Sequence, residues 1–144
     1  MGVGSLAYPP LVQYGTEQEY RNHFEREYCR GPIATFDGIQ VRFRKGMFDH
    51  CFFESVVIKD DTFSNRRAER VDWIKAALQD PNAELREGWN NTKKRPAKDR
   101  RVAVVMGDYV VIIRIRPNNK ADFVTAFVAT GRTINQIRTN PIWN

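Results

Sequence analysis

The sequence predicts an α+β domain in which two N-terminal helices pack on a four-stranded antiparallel sheet, with an accessory N-terminal hairpin. Three observations predict this class. Residues 101–129 contain three consecutive apolar runs separated by turn residues, and residues 83–90 have the pattern of a further strand. Residues 16–28 and 62–79 carry apolar side chains at helical spacing. The length of 144 residues is that of a single domain with its own core.

The three apolar runs form the centre of the predicted fold, and β-branched and aromatic residues dominate each of them. The two breaks, Gly107-Asp108 and Asn118-Asn119, carry residue types that tight turns place at positive φ. The run at 110–113 is apolar without alternation, which predicts a middle strand covered on both faces. Arg114 and Arg116 then emerge on one face near the end of this strand.

The first helix follows an irregular arm, residues 1–15, and opens a single domain predicted to span residues 16–144. Thr16 provides the N-cap, and Glu19 completes a capping box. A buried stripe recurs every four residues and consists of Tyr20, Phe24 and Tyr28. His23 lies next to this stripe and is interpreted as a boundary residue.

The hairpin and the second helix come next along the chain. Asp37-Gly38 lies between two short apolar runs and is the strongest hairpin signal in the sequence. Residues 62–79 are expected to form one helix, with Thr62 or Ser64 as its cap and Asp80-Pro81 as its end.

Three arginines crowd the first two turns of that helix, where the helix dipole disfavours cations. They are Arg66, Arg67 and Arg70. Such a placement is tolerated on a solvated surface, and it is also what a phosphate site would require. The sequence alone leaves both interpretations open.

Charge is distributed unevenly along the chain, which carries +6 in total. Residues 93–144 contain eleven Lys or Arg against three Asp or Glu, a balance of +8. A basic surface on strands and loops favours an RNA or DNA phosphate backbone through counterion release, but it also simply solubilises a strand-rich domain. The densest cluster, residues 93–98, is expected to form a mobile loop. The candidate nucleic-acid-binding residues are Lys93, Lys94, Arg95, Lys98, Arg100, Arg114 and Arg116.

His50 is the candidate for proton-transfer chemistry. It lies in an aromatic segment between Asp49 and Glu54, and histidine is the side chain that most readily exchanges a proton near neutral pH. The alternative is a core histidine that bonds to the backbone.

Five short motifs occur in a characteristic order. They are Asp49-His50-Cys51-Phe52, a helix ending in Leu78-Gln79-Asp80-Pro81, a Trp-bearing strand, the apolar strand from Tyr109, and the final strand Phe123–Phe127. In this order they resemble phage-type members of the barnase/EndoU/colicin/RelE-like nuclease superfamily. The resemblance implies helices on a curved antiparallel sheet and metal-independent RNA cleavage, in which a base activates the 2′-hydroxyl to attack the adjacent phosphorus.

Carried over by position, the resemblance implies that His50 transfers a proton and that the Thr125 hydroxyl bonds a phosphate oxygen. Arg67 or Arg70 would clamp a phosphate, because a guanidinium is always charged and binds two oxygens at once. Tyr109 is implied as a stacking or proton-donating group. The C-terminal half carries no second histidine, so an acid partner to His50 would be a Lys, a Tyr or Glu54, or would be absent.

The leading hypothesis is therefore a small metal-independent ribonuclease, with a toxin effector as one form of it. RNA is the expected partner, and an acidic immunity or antitoxin protein is a second candidate partner. The rival hypothesis is a non-catalytic module of the same fold, such as a phage accessory protein, that binds nucleic acid or protein. A third is a structural interaction domain in which Trp89 and Trp143 form a partner patch.

Several classes of function are not expected. No phosphate-cradling glycine loop and no cluster with metal-ligand spacing is present, so the sequence predicts neither a cofactor nor a metal site. It contains no apolar run of membrane-spanning length and no signal-peptide pattern at its start. A cytoplasmic location is the resulting expectation.

Overall fold

The computed structural model describes residues 8–144, and the first seven residues of the predicted arm lie outside this range. Residues 8–15 have no regular secondary structure and run along the domain. The Val12 amide donates to the carbonyl of Glu69, and the Trp73 indole donates to the carbonyl of Pro9. This part of the arm is thus bonded to the segment that carries Glu69 and Trp73.

Helices and strands alternate in the first half of the described chain, and strands dominate the second. The helices are α1 (Glu17–Tyr28), α2 (Met47–Phe52), α3 (Asn65–Ala68), α4 (Val71–Leu78) and α5 (Gly131–Arg138). The strands are β1 (Ile33–Ala34), β2 (Gln40–Arg42), β3 (Phe53–Glu54), β4 (Thr62–Phe63), β5 (Glu84–Asn90), β6 (Arg95–Val105), β7 (Tyr109–Arg116) and β8 (Lys120–Val128).

The chain is α+β, but the predicted architecture of two N-terminal helices on a four-stranded antiparallel sheet is wrong. Across residues 8–144 the structure has five helices and a six-stranded mixed sheet in the order β1-β2-β8-β7-β6-β5. Strands β3 and β4 form a separate pair. The predicted meander and the strand before it are confirmed as the antiparallel part of the larger sheet, β5 to β8.

The hairpin around Asp37-Gly38 is confirmed, but it is not accessory. Gly38 adopts a φ of 89°, which a side chain would disfavour, and β1 pairs with β2 in antiparallel fashion. Strand β2 then pairs with β8 in parallel, with Val41 opposite Ala121. The turn chemistry predicted the hairpin, whereas the parallel pairing joins segments about eighty residues apart and leaves no local signal.

The single helix predicted at 62–79 is divided into α3 and α4. Phe63 pairs with Phe53 between β4 and β3, so the helical part begins only after Ser64, whose hydroxyl accepts from the Arg67 amide. A break at Glu69 and Arg70 follows. Helix α2 also lies outside the two predicted helices, because its six residues are too few to show a helical period.

The first helix and its N-cap are confirmed. Thr16 caps it by accepting from the Glu19 amide at 3.3 Å, and the Thr16 hydroxyl donates to the Glu19 carboxylate. The predicted stripe of Tyr20, Phe24 and Tyr28 is buried in the core. The Tyr28 hydroxyl donates to the carbonyl of Val71, which ties α1 to α4.

Two hydrophobic clusters lie on opposite faces of the sheet. The larger contains buried residues of α1, α2 and α4 together with one sheet face, and it is rich in aromatic rings such as those of Phe24, Phe43 and Phe123. The smaller places α5 on the other face through Ile134, which is grouped with Val102 and Val110. Strand β7 contributes to both clusters, as predicted for a middle strand covered on both sides.

An ion pair with a buried arginine joins the tip of the hairpin to strand β6. Arg101 of β6 donates two hydrogen bonds to the Asp37 carboxylate, at 2.7 and 3.1 Å, and its side chain is 2% exposed. The guanidinium carbon also lies 4.9 Å from the ring centre of Trp143 and 5.5 Å from that of Phe36. The buried charge of Arg101 is therefore compensated by a carboxylate from a distant segment, and removing either side chain would leave the other without its partner.

Replacing Asp37 with Ala should destabilise the protein by about 3 kcal/mol, because it leaves the Arg101 charge buried without its partner. Urea unfolding measures this change directly. Asp99→Asn removes an exposed carboxylate of the same strand and serves as the control, with an expected change below about 0.5 kcal/mol. Equal midpoints for Asp37→Ala and the wild type would show that the pair does not stabilise the fold.

The same pair gives the stability a pH dependence. Partial burial raises the pKa of Asp37, but the hydrogen bonds from Arg101 and Thr35 outweigh it and hold the pKa below 3.8. A carboxyl with a lowered folded-state pKa contributes stability that is present above its unfolded value and lost as the pH falls through the folded value. The free energy of unfolding should therefore drop below about pH 4, and less steeply in Asp37→Asn.

Candidate functional site

A cleft at one end of the six-stranded sheet has a strongly basic lining. It has a volume of about 920 Å³ and lies between the end of α1, strand β2 and the turn that joins β7 to β8. Its only acidic lining residue is Asp122. Its cationic lining residues are Arg30, Arg42, Arg44, Lys45, Arg116 and Lys120.

Strand pairing brings these cations together. Arg42 of β2 lies opposite Asp122 of β8, and Asp122 lies opposite Arg114 of β7. One register step away, Lys120 lies opposite Arg116. Because residues directly opposite one another in a sheet share a face, segments far apart in sequence present their charges on one surface.

A second cleft continues this surface along the sheet. It has a volume of about 370 Å³, shares Arg42, Arg44 and Arg116 with the first, and adds Arg114. Arg100 of β6 pairs with Arg114 and extends the row by one more strand. Adjacent strands are about 5 Å apart, so the row from β2 to β6 spans about 15 Å. We call the two clefts together the basic groove.

Most charges of the basic groove are not neutralised within the described chain. Arg116 is paired with Asp122 at 3.0 Å, and Lys45 lies 3.9 Å from Glu25. The remaining cations are exposed and have no ion-pair partner in residues 8–144. They are Arg30, Arg42, Arg44, Arg114 and Lys120.

The cluster at residues 93–98, predicted to be a loop, forms the end of the β5–β6 hairpin and is part turn and part strand. Lys93 and Lys94 lie in the turn, Arg95 pairs with Asn90, and Lys98 follows in β6. All four are exposed. Because β6 and β7 are antiparallel, the start of β6 lies towards the same end of the sheet as the end of β7. The predicted nucleic-acid-binding residues thus gather at one end of the sheet.

His50 lies in the last turn of α2, at the surface rather than in the core. Its side chain is 40% exposed, and its Nδ1 atom is 3.4 Å from a carboxylate oxygen of Asp60. The carboxylate belongs to the loop between β3 and β4. An imidazole that is open to solvent and oriented by a carboxylate is competent for proton transfer.

Arg67 and Thr125 lie near the thiol of Cys51, the residue that follows His50 in α2. Burial raises the pKa of Cys51 to about 12, and a backbone hydrogen bond at Ala126, the Arg67 charge and the Thr125 hydroxyl each lower it only in part. Arg67 also donates to the carbonyl of Phe53 at 3.1 Å. His50 is therefore in α2 and Arg67 and Thr125 are close to it, but none of the three lines either of the two clefts with the basic lining.

Arg70 is half-buried, and Tyr109 is buried in the core. Arg70 donates to the carbonyl of Arg66 at 2.6 Å and to the Glu69 carboxylate at 3.1 Å. Tyr109 is 2% exposed and packs edge-on against Trp73, and burial raises the pKa of its hydroxyl well above 10.0. The structure therefore keeps Tyr109 away from the surface and leaves Arg70 bonded to its own segment of the chain.

Five residues of the basic groove had no role in the sequence-based hypothesis. They are Arg30, Arg42, Arg44, Lys45 and Lys120. Arg42 and Arg44 stand two residues apart, as Arg114 and Arg116 do, and this spacing places each pair on one face of a strand. That signal was available, but only the pairing of β2 with β8 shows that the two pairs are neighbours.

Comparison with known protein families, with characterised proteins and with solved structures finds no match to this chain. The resemblance to the nuclease superfamily thus stays a prediction based on its motifs. None of the helices in residues 8–144 has the length and apolar character needed to cross a bilayer.

Proposed function

We propose that this protein binds the phosphate backbone of a nucleic acid in the basic groove, with RNA as the candidate ligand. The observation that carries the proposal is the set of seven exposed cations around two adjoining clefts, with one acid among them. Unpaired cations held close together repel one another, and a polyanion relieves that repulsion.

The composition of the groove suits phosphate oxygens. Five of its seven cations are arginines, whose planar guanidinium donates two parallel hydrogen bonds to a phosphate. Such contacts position a backbone without reading its sequence. The affinity should depend strongly on salt, because each neutralised phosphate releases condensed counterions.

Binding is preferred to catalysis because of what the groove contains. Its lining includes no histidine, and its one acid is paired with Arg116. General acid–base catalysis needs a group that gains and loses a proton near neutral pH within reach of the substrate. The lining supplies charge for attraction without such a group.

Ribonuclease activity at His50 is the second candidate function, and the exposed pair of His50 and Asp60 favours it. Helix α2 starts directly after Lys45 and Gly46, which follow the groove residue Arg44. At a rise of 1.5 Å per residue, His50 lies about 8 Å from Lys45 along the axis of α2. An RNA strand that leaves the basic groove and crosses α2 would pass the His50 imidazole, which Asp60 would orient. An acidic immunity or antitoxin protein would compete for the same groove.

Replacing Arg42, Arg44 and Lys120 together with Ala should weaken binding of a short single-stranded RNA at least tenfold at low salt. The slope of log affinity against log salt should fall by about 2, because three phosphate contacts are lost at roughly 0.7 each. Fluorescence anisotropy at several salt concentrations measures both quantities.

The matched control replaces three exposed cations outside the groove, Lys59, Lys75 and Arg132, with Ala. It removes the same charge and should change the affinity much less than the groove variant does. Equal losses in the two triple variants would mean that net charge, and not the groove, binds the RNA.

The second candidate is tested by incubating RNA with the protein in EDTA. Wild type should cleave the RNA, and His50→Ala should lose at least about two decades of rate while its RNA affinity stays the same. Circular dichroism checks that the variant is folded. An inactive wild type, or an unchanged rate in His50→Ala, would remove His50 from any mechanism.

A further inference from the structure

An uncharged cleft of about 490 Å³ lies on the α5 side of the sheet. It combines one large aromatic ring with amide and hydroxyl side chains and a single aliphatic wall. Its lining residues are Trp89, Thr133, Gln136, Ile137, Thr139 and Asn140. None of them belongs to the basic groove or to the surroundings of His50.

The fold holds the walls of this cleft in place. Trp89 is on β5, the edge strand of the sheet, and half of its surface is exposed. Helix α5 is fastened to the sheet by buried Ile134 and is capped by Thr130. The chain after α5 is bonded along β5, where the Glu87 amide donates to the carbonyl of Pro141. The exposed indole and the helix beside it are therefore already held in position before any ligand binds.

The polar groups of the cleft have hydrogen-bonding capacity left for a ligand. The Asn140 amide nitrogen donates to the carbonyl of Glu87 at 3.0 Å, which orients the side chain and leaves its Oδ1 atom as a free acceptor. The Gln136 side chain is exposed and has no hydrogen-bond partner within residues 8–144. The Thr139 hydroxyl donates to the Gln136 carbonyl at 2.6 Å and can still accept.

A flat aromatic platform with a fixed acceptor and a free amide matches the needs of a nucleobase. Bases of single strands stack on tryptophan, and amide side chains read their polar edges. The position of Trp89 also places cations nearby, and these could bind the phosphates that flank a nucleobase. Trp89 lies opposite Pro96 in the β5–β6 hairpin, whose end carries Lys93, Lys94 and Arg95. A neutral sugar ring would use the indole but would gain nothing from three cations.

We propose that this cleft binds an unpaired nucleobase, stacked on Trp89, while Lys93, Lys94 and Arg95 hold the neighbouring phosphates. This inference rests on the proposed function and narrows its ligand to single-stranded nucleic acid. A base inside a duplex is already stacked on both faces and cannot reach the indole. The backbone would run from the basic groove across the end of the sheet to the β5–β6 hairpin.

The test compares three probes on the full chain, namely a short single-stranded RNA, the corresponding duplex, and an abasic phosphodiester strand of the same length. Trp89→Ala should weaken binding of the single strand about 5- to 100-fold, the range expected when one stacked base is lost. Its affinity for the abasic strand should stay within about twofold of wild type, since no phosphate contact changes. Trp89→Phe keeps an aromatic face and should restore most of the single-strand affinity.

Outcomes of this test separate the two proposals. The groove variant of Arg42, Arg44 and Lys120 should weaken binding of all three probes, because each carries phosphates. If the groove variant binds all three probes as tightly as wild type while Trp89→Ala still weakens single-strand binding, the proposal for the basic groove is wrong and the proposal for the base site stands. Single-strand affinity unchanged in Trp89→Ala, or an equal loss with the abasic strand, would overturn the base site alone. Binding of a neutral oligosaccharide in place of the single strand would also overturn it.

Discussion

The parallel pairing of β2 with β8 is the contact on which the rest of the structure depends. It involves only three residues of each strand, from Gln40 opposite Lys120 to Arg42 opposite Asp122. It joins the hairpin to the main sheet and sets Arg42 and Arg44 beside Arg114 and Arg116. Because β2 pairs only with the first three residues of β8, the later residues of β8 contact α2 instead. The Cys51 thiol of α2 donates to the carbonyl of Ala126 at 3.6 Å. The basic groove and the surroundings of His50 both follow from this pairing.

The two faces of the sheet differ in how they are covered. The face towards α1, α2 and α4 is filled with aromatic and branched side chains and closed by the Arg101–Asp37 pair. The opposite face is covered only in part, by α5. At the end of the sheet the strands carry charged residues in place of apolar ones, since Arg100, Arg114 and Asp122 lie in one register row. Burial of that row would need every charge to be paired, so it stays at the surface.

The candidate sites were predictable in part. Arg114 and Arg116 were identified from the end of an apolar strand, and both line the basic groove. His50 was identified by residue type and lies at the surface beside Asp60. Tyr109 was assigned by motif, and its place in the core could not be foreseen because a tyrosine in a β-rich run suits both environments. Arg101 stands at the start of an apolar run in the sequence, and only the distant Asp37 explains its burial.

The sequence by itself determined the features that near neighbours control. These are the Thr16 cap, the buried stripe of α1 and the positive φ of Gly38, Gly107 and Asn118. Capping, helical period and turn strain all act within a few residues, so their signals are local. Tertiary structure alone decided the partner of β2, the division of residues 62–79 into two helices, and which arginines face solvent. Those outcomes depend on contacts between segments far apart in the chain. Packing and charge pairing, and not local conformational preference, decide which of the alternative arrangements has the lowest free energy.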